Sequence, residues 1–422
     1  MPKIYTTSVP IEADIVDAFC ALQKDFTDQF VYVRKGEPYA FFGLGRCIAV
    51  ADLADIESEA SEHSPYLFSF RRFDEGDPRP ADPLFASFPR VGFMLPELVL
   101  FRNETGTFLQ VNSLGPVYEG RIDRFARRAA SAPTRTRSIP KITVQRDNYE
   151  DWAQTVESAL GIIDSGRASK LVLSRRLDIH AEAPFSFKDV ILGLLDGQPE
   201  GIVFAYRYGD VFFTGCTPEL LVHSEGGEVT SMCLAGSAPL GDSSVTSEKN
   251  LREHAHVVDF VRGVIERNCY DVDIPASPDV LELPTIAHLH TPVRARLLEG
   301  RTSWGLAAQL YPTPALSGMP VGEAMMALRT IEPHNRGFFG GIAGVSDAHG
   351  NGEYCVTIRS GVFDGEAGYV YAGCGIVHGS SAADEYAETD LKFRTMLSAF
   401  DWSFADADGD GGAGASGEGA HE

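Results

Sequence analysis

A chain of 422 residues with 44% hydrophobic and 23% charged side chains can bury a large core without disulfide or metal staples. Its formal net charge of −23 argues against nucleic acid and against an anionic membrane surface, since both call for clustered Lys and Arg. No stretch is apolar for long enough to span a bilayer, the opening MPKIYTTSVPIEAD lacks a basic-then-apolar leader, and seven scattered cysteines without a C-x-x-C suit a reducing cytoplasm.

In chain order, FVYVRK, YAFFGLGRCIAVA, LVLFRN and GTFLQVN read as strands. FGLGRC has two glycines but not the third that opens a dinucleotide-binding helix. RRAASAPTRTRSIPK, residues 127–141, is basic and rich in Ser, Thr and Pro, as an exposed connection is. DNYEDWAQTVESALGIID predicts a helix with Trp152, Val156, Leu160 and Ile163 on one face. KLVLSRRLDIHAE, GIVFAYRYGD, VFFTGCTP and ELLVHSEGGEVTSMCLAG follow as strands turning at Gly and Asp. A long helix is expected from Ser247 to Asn268. GGIAGVSD, GEYCVTIRSGVFD and GYVYAGCGIV have the spacing of a meander, and DEYAETDLK lies on a closing helix. From Ala405, ADADGDGGAGASGEGAHE lacks large apolar and basic residues and is expected to be a disordered tail. Strand runs alternating with paired helices predict an α+β architecture, one large domain with antiparallel sheet at its centre.

Several polar residues border apolar faces. In the 247–268 helix, Val257, Val258, Val261, Val264 and Ile265 form an arc with Glu253 at its edge, where a partly desolvated carboxylate seeks a cation. In the closing helix, Tyr386, Phe393, Met396, Leu397 and Phe400 form the arc, bordered by Glu385 and Lys392. Glu385, Glu388 and Lys392 share one stripe through their spacings of three and four. Carboxylates from two helices suit one Mg2+ that keeps several waters. Two independent salt bridges suit the same spacing, and spacing alone favours them over the metal. Arg359, sharing a strand face with Thr357 in YCVTIRS, reads as a carboxylate clamp or as a snorkelling edge residue. Lys170 at a strand mouth and Glu219 at a turn read first as surface charges. His288, in PTIAHLHTP, reads as a hydrogen-bonded core or loop imidazole. The set of acids and cations favours an anionic substrate.

SKLVLSRR, TPELLV, LAGSAP, SEKNLREH, LYPTPALSGMP, RGFFGGIAG, VTIR, AGCGIV and AETDLK, in this order and spacing, resemble the chorismate-binding enzymes: isochorismate, salicylate, anthranilate and aminodeoxychorismate synthases. The N-terminal third resembles them loosely. The resemblance implies a single layered α/β fold with two packed central antiparallel sheets and outer helices. Residues 1–145 would be its N-terminal part, 146–403 the chorismate-binding catalytic region and 404–422 the tail. It implies chorismate as substrate, a monomer or homodimer, and Mg2+ on Glu253 and Glu388 with Glu385 nearby. It places Arg359 and Lys392 on substrate carboxylates, with the Gly373 and Gly375 backbone, Gly236, Ser237 and His288 around the ring. Lys170 matches the base that activates water for attack at C2, a role for the neutral amine, and Glu219 the acid that protonates the leaving C4 hydroxyl.

Anthranilate synthases typically carry Gln at the position of Lys170, and aminodeoxychorismate synthases often a nucleophilic Lys at that of Ala235. Salicylate synthases tend to have Thr for Ala315, a small residue for Leu316, Tyr for Phe339 and sometimes an acid for Asn250. The pattern here resembles that of isochorismate synthases. Salicylate synthase is the enzyme alternative, and a non-catalytic chorismate-binding paralogue the other. EPYAFFGLGRCIAVA resembles the menaquinone branch rather than the siderophore branch.

Overall fold

The computed structural model describes residues 2–50, 57–60, 63–80, 82–283 and 286–405. The tail expectation falls on residues 406–422, outside the described ones. Phe404 still belongs to a strand, Asp401–Phe404, which pairs with Lys141–Val144.

Among the described residues two large, mainly antiparallel sheets form, one of fourteen strands and one of ten. At the centre of the first lie, side by side, Lys170–Ala181, Ala367–Val377, Ser360–Asp364, Val211–Thr217, Ile202–Tyr208 and Asp28–Arg34. The second is built around Ile286–Leu297, Glu228–Pro239, Leu220–Glu225, Gly352–Val356, Ile342–Asp347 and Tyr66–Arg71. Strands from the first third of the chain thus enter both sheets.

Alternation along one strand shows how the layers stack. In Ile202–Tyr208, the side chains of Ile202, Phe204 and Tyr206 enter an aromatic core shared with Phe68 and Phe70 of the other sheet. Phe30 stands 5.3 Å from Phe68, and Phe70 stands 4.8 Å from Tyr206, between ring centroids. Val203 and Ala205 face the other way, into a core with Phe19 and Phe187 from two outer helices. Both faces are buried, so GIVFAY reads as one continuous apolar run. Each fully buried side chain of this size contributes about 1.5–3 kcal/mol. On the far side, helices Tyr149–Asp164, Glu248–Asn268 and Val321–Ile331 cover the second sheet and the Lys170 end of the first. The expected two-sheet, helix-covered α+β architecture is the one that forms.

The chain crosses between the sheets at three places, and two of them break an expected strand. YAFFGLGRCIAVA divides into Ala40–Leu44 in the first sheet and Ile48–Val50 in the second. VFFTGCTP and ELLVH, expected as separate strands, form Val211–Thr217 in the first sheet and Leu220–Glu225 in the second, with the crossing at Pro218 and Glu219 between them. GEYCVTIRSGVFD crosses between Val356 and Ser360, and there Arg359 adopts φ +53, a left-handed conformation that an extended strand cannot contain. Thr357 and Arg359 therefore do not share a strand face. The last two crossings lie together: Val356 N donates to Glu219 O at 3.1 Å, and Cys216 N to Arg359 O at 3.2 Å. Gly215 permits this approach, since a methyl there would stand 2.6 Å from Arg359 O.

Candidate active site

The two adjacent crossings aim Glu219 and Arg359 into one cavity. Glu219 is 5% exposed. Burial pushes its carboxyl up to about 7, against the pull of Lys170, Arg359 and Lys392. It is not the surface turn acid that its sequence context suggested.

Arg359 is also 5% exposed. Its guanidinium donates to His288 Nε2 at 3.2 Å and to Thr395 Oγ1 at 3.3 Å, both uncharged partners. No carboxylate pairs with it among the described residues. Burial lowers it to about 10, with Glu388, Cys216 and Glu219 opposing, so it stays charged at neutral pH. Because Nε2 of His288 accepts from Arg359, its proton sits on Nδ1, 2.9 Å from Ser237 Oγ. Burial, Arg359 and Lys392 hold this imidazole well below its ordinary value, hence neutral. Gly236 forms the bulge before Ser237 with φ +78, a conformation that glycine adopts freely.

Lys170 opens its strand opposite Val377, which sets Val172 opposite Gly375 and Ser174 opposite Gly373. It is fully buried, against the expectation that a lysine at a strand mouth reaches solvent. Its Nζ lies 2.9 Å from Glu253 Oε1, an ion pair, and Glu253 is its one charged partner among the described residues. Burial works to raise Glu253, but Lys170, Lys392 and Lys249 outweigh it and hold the carboxylate ionised. Gly375 gives this pair its room: a methyl there would run into Glu253 Oε1 and come within 3.0 Å of Lys170 Cε. Gly375→Ala is therefore expected to cost about 1–3 kcal/mol in denaturant unfolding; an unchanged midpoint would show that Glu253 can step aside freely.

On the closing helix, Ala382–Leu397, Lys392 Nζ donates to Glu388 Oε1 at 2.6 Å and to Gly373 O at 2.8 Å. Lys249 Nζ donates to Glu385 Oε1 at 2.7 Å. Burial and then Glu388 raise Glu385. Among the described residues no three acids, imidazoles or thiols converge as a ready-made metal site. Glu253, Glu385 and Glu388 each hold a lysine instead, and all three act on Lys249. Such a set of carboxylate oxygens, on two helices bridged by the Lys249–Glu385 pair, fits a hard, partly hydrated cation such as Mg2+.

The cavity is lined by Glu219, Gly236, Ser237, Glu253, His288, Ala315, Leu316, Phe339, Arg359, Gly373, Gly375, Glu388 and Lys392. Lys170 and Glu385 lie outside that lining: Lys170 pairs with the lining residue Glu253, whereas the partner of Glu385, Lys249, does not line the cavity either. Three contributors were not anticipated. Lys249 lies four residues before Glu253 in SEKNLREH, a spacing that puts both on one stripe. Thr395 lies three after Lys392. Arg336, which also lines the cavity, lies four after Glu332 in EPHNRG.

A family model described as chorismate binding enzyme matches residues 3–401. Isochorismate synthase MenF of Bacillus subtilis (strain 168) is 33% identical over 364 residues, covering 81% of this chain and 77% of that protein. Isochorismate synthase DhbC of the same organism is 37% identical over 268 residues, covering 59% of this chain and 67% of that protein. Among solved structures, the menaquinone-specific isochorismate synthase MenF from Escherichia coli superposes with a TM-score of 0.76 at 22% identity, over 94% of this chain and 95% of that one. At that identity the likeness is one of fold.

Proposed function

This chain belongs to the chorismate-binding enzymes, and from that premise we propose that it is an isochorismate synthase, an isomerase acting on chorismate. The observation that carries the reading is a buried carboxyl poised near neutrality, Glu219, close enough to the buried Lys170 to feel its charge. An acid and a base in one enclosed site suit addition of water at one ring carbon with loss of a hydroxyl at another.

In this reading Arg359, charged and without a carboxylate partner, takes a substrate carboxylate, and Lys392 exchanges part of its contact with Glu388 for another. His288, neutral, orients Arg359 without repelling it. The amine of Lys170 takes a proton from water as the oxygen bonds to C2. The ring double bonds shift, and Glu219 gives its proton to the C4 hydroxyl, which leaves as water. One water enters and one departs, so the atoms balance. Glu253, Glu388 and Glu385 would hold Mg2+, which when bound supplies positive charge to the ring carboxylate. Glu388→Gln is expected to raise the Mg2+ concentration needed for half-maximal activity by roughly tenfold or more; an unchanged titration contradicts the ligand role.

Ala315, Leu316 and Phe339 present no hydroxyl to the cavity, which supports retention of the enolpyruvyl group. Ala315→Thr is expected to introduce measurable pyruvate release, read in a coupled lactate dehydrogenase assay; no pyruvate would mean that this position does not set the outcome. We read the product toward the menaquinone branch, because the Bacillus subtilis MenF match extends over 81% of the chain and the DhbC match over 59%. All seven cysteines are free, which supports a reducing cytoplasm. No helix among the described residues is long and apolar enough to cross a membrane. Incubating the purified chain with chorismate and Mg2+ tests the whole reading: isochorismate supports it, and anthranilate, salicylate or no turnover contradicts it.

A further inference from the structure

We propose that Arg336, locked by Glu332, is a positioning residue that fixes Leu316 against the strand carrying Lys170, and so governs both turnover and product.

Arg336 is 3% exposed and Glu332 5% exposed. Arg336 Nε donates to Glu332 at 2.9 and 3.1 Å, and its NH2 donates to the same carboxylate at 2.5 Å. What remains of the guanidinium spans two elements: NH1 donates to Leu316 O at 2.9 Å, and NH2 to Val172 O at 2.5 Å. Glu332 Oε1 also accepts from Ser174 N at 2.8 Å and from Ser174 Oγ at 2.9 Å. One buried pair thus joins the end of helix Val321–Ile331, the loop of Ala315 and Leu316, and the strand that begins at Lys170. That strand carries Gly373 and Gly375 beside it by register. The backbone of Arg336 also accepts from Phe339 N at 2.9 Å, bringing in the third residue that shapes the cavity.

A buried ion pair is a poor stabiliser, since desolvation consumes most of its attraction. Its use here is geometric. A planar guanidinium holds two carbonyls and a carboxylate at fixed angles, which a lysine ammonium cannot do. With its N–H groups engaged in the wall, Arg336 acts on the substrate through Leu316 and the Lys170 strand rather than by holding it.

This inference rests on the isochorismate-forming reading, and the test separates the two. If the wild-type chain makes no isochorismate from chorismate, that reading fails by itself. If it does, Arg336→Lys is compared with it. The expected result is a kcat lower by about 10–100-fold, a KM for chorismate changed by less than about threefold, and pyruvate appearing beside isochorismate. The double variant Glu332→Gln with Arg336→Met keeps an acceptor for Ser174 and leaves no unpaired charge, so it covers the case in which the single variant fails to fold. It is expected to show the same split. A folded variant of either kind with wild-type kcat and isochorismate as sole product overturns the proposal. So does a raised KM at unchanged kcat, which would make Arg336 a substrate ligand.

Discussion

Lys170→Ala is expected to lose turnover by about 10³-fold while chorismate binding stays measurable. The amine sits at the start of a strand paired along its whole length with Ala367–Val377, so the backbone that presents it does not depend on the side chain. Its loss removes the group that takes the proton of the attacking water, but leaves Arg359 and Lys392 to bind the substrate. It also leaves Glu253 buried without its nearest cation, and breaking such a pair costs about 3–5 kcal/mol. Turnover is therefore to be normalised to folded protein, by thermal unfolding of the same samples. A folded Lys170→Ala chain with near wild-type turnover would remove Lys170 from the chemistry.

Glu219→Gln is expected to be less active and yet more stable above pH 7. As the proton donor, Glu219 acts only while protonated. With its value near 7, kcat/KM should fall on the alkaline side of neutrality, and the amide should lower turnover by about 10²–10⁴-fold. The stability effect has the opposite sign. The folded value lies above the ordinary 4.5, so between these values the folded chain keeps a proton that the unfolded chain releases. Folded stability thus falls as pH rises through that window. Above it the buried carboxylate is a net cost on the order of 3 kcal/mol, which the amide removes. Urea unfolding at pH 5 and pH 8.5 measures this: the variant should gain on wild type only at the higher pH. Equal stability at pH 8.5, or a wild-type kcat/KM flat through pH 7, would contradict the assignment.

The fold class was legible because both sheets are long and buried on both faces, which writes strands such as GIVFAYRYG and GYVYAGCGIV as apolar runs between turns. Of the crossings between sheets, the one at Pro218 and Glu219 was legible as a strand boundary, and the other two were not. A strand that leaves one sheet and joins another keeps its period of two and its apolar character, so GEYCVTIRSGVFD carries no mark of the break at Arg359. An arginine gives no warning of a left-handed backbone, as a glycine would. The candidate site divides in the same way. Glu253, Glu385 and Lys392 were visible as polar residues at the margins of helical arcs. The burial of Lys170 and Glu219 depends on what other parts of the chain place above them: Glu253 and Gly375 over the lysine, and the adjoining crossing at Arg359 beside the acid. Arg336 and Glu332 were visible only as an ordinary pair four residues apart, because their carbonyl partners at Val172 and Leu316 lie far away in sequence.

The central claim is that solvent water supplies the new hydroxyl at C2 while the C4 hydroxyl is lost. The most direct measurement is the reaction of chorismate and Mg2+ with the purified chain in H2(18)O, stopped with EDTA at low conversion and read by mass spectrometry of the separated product. Isochorismate carrying one 18O, located at C2, is the predicted result. Unlabelled isochorismate would mean that the hydroxyl migrates within the substrate, and would contradict the roles of Lys170 and Glu219 together.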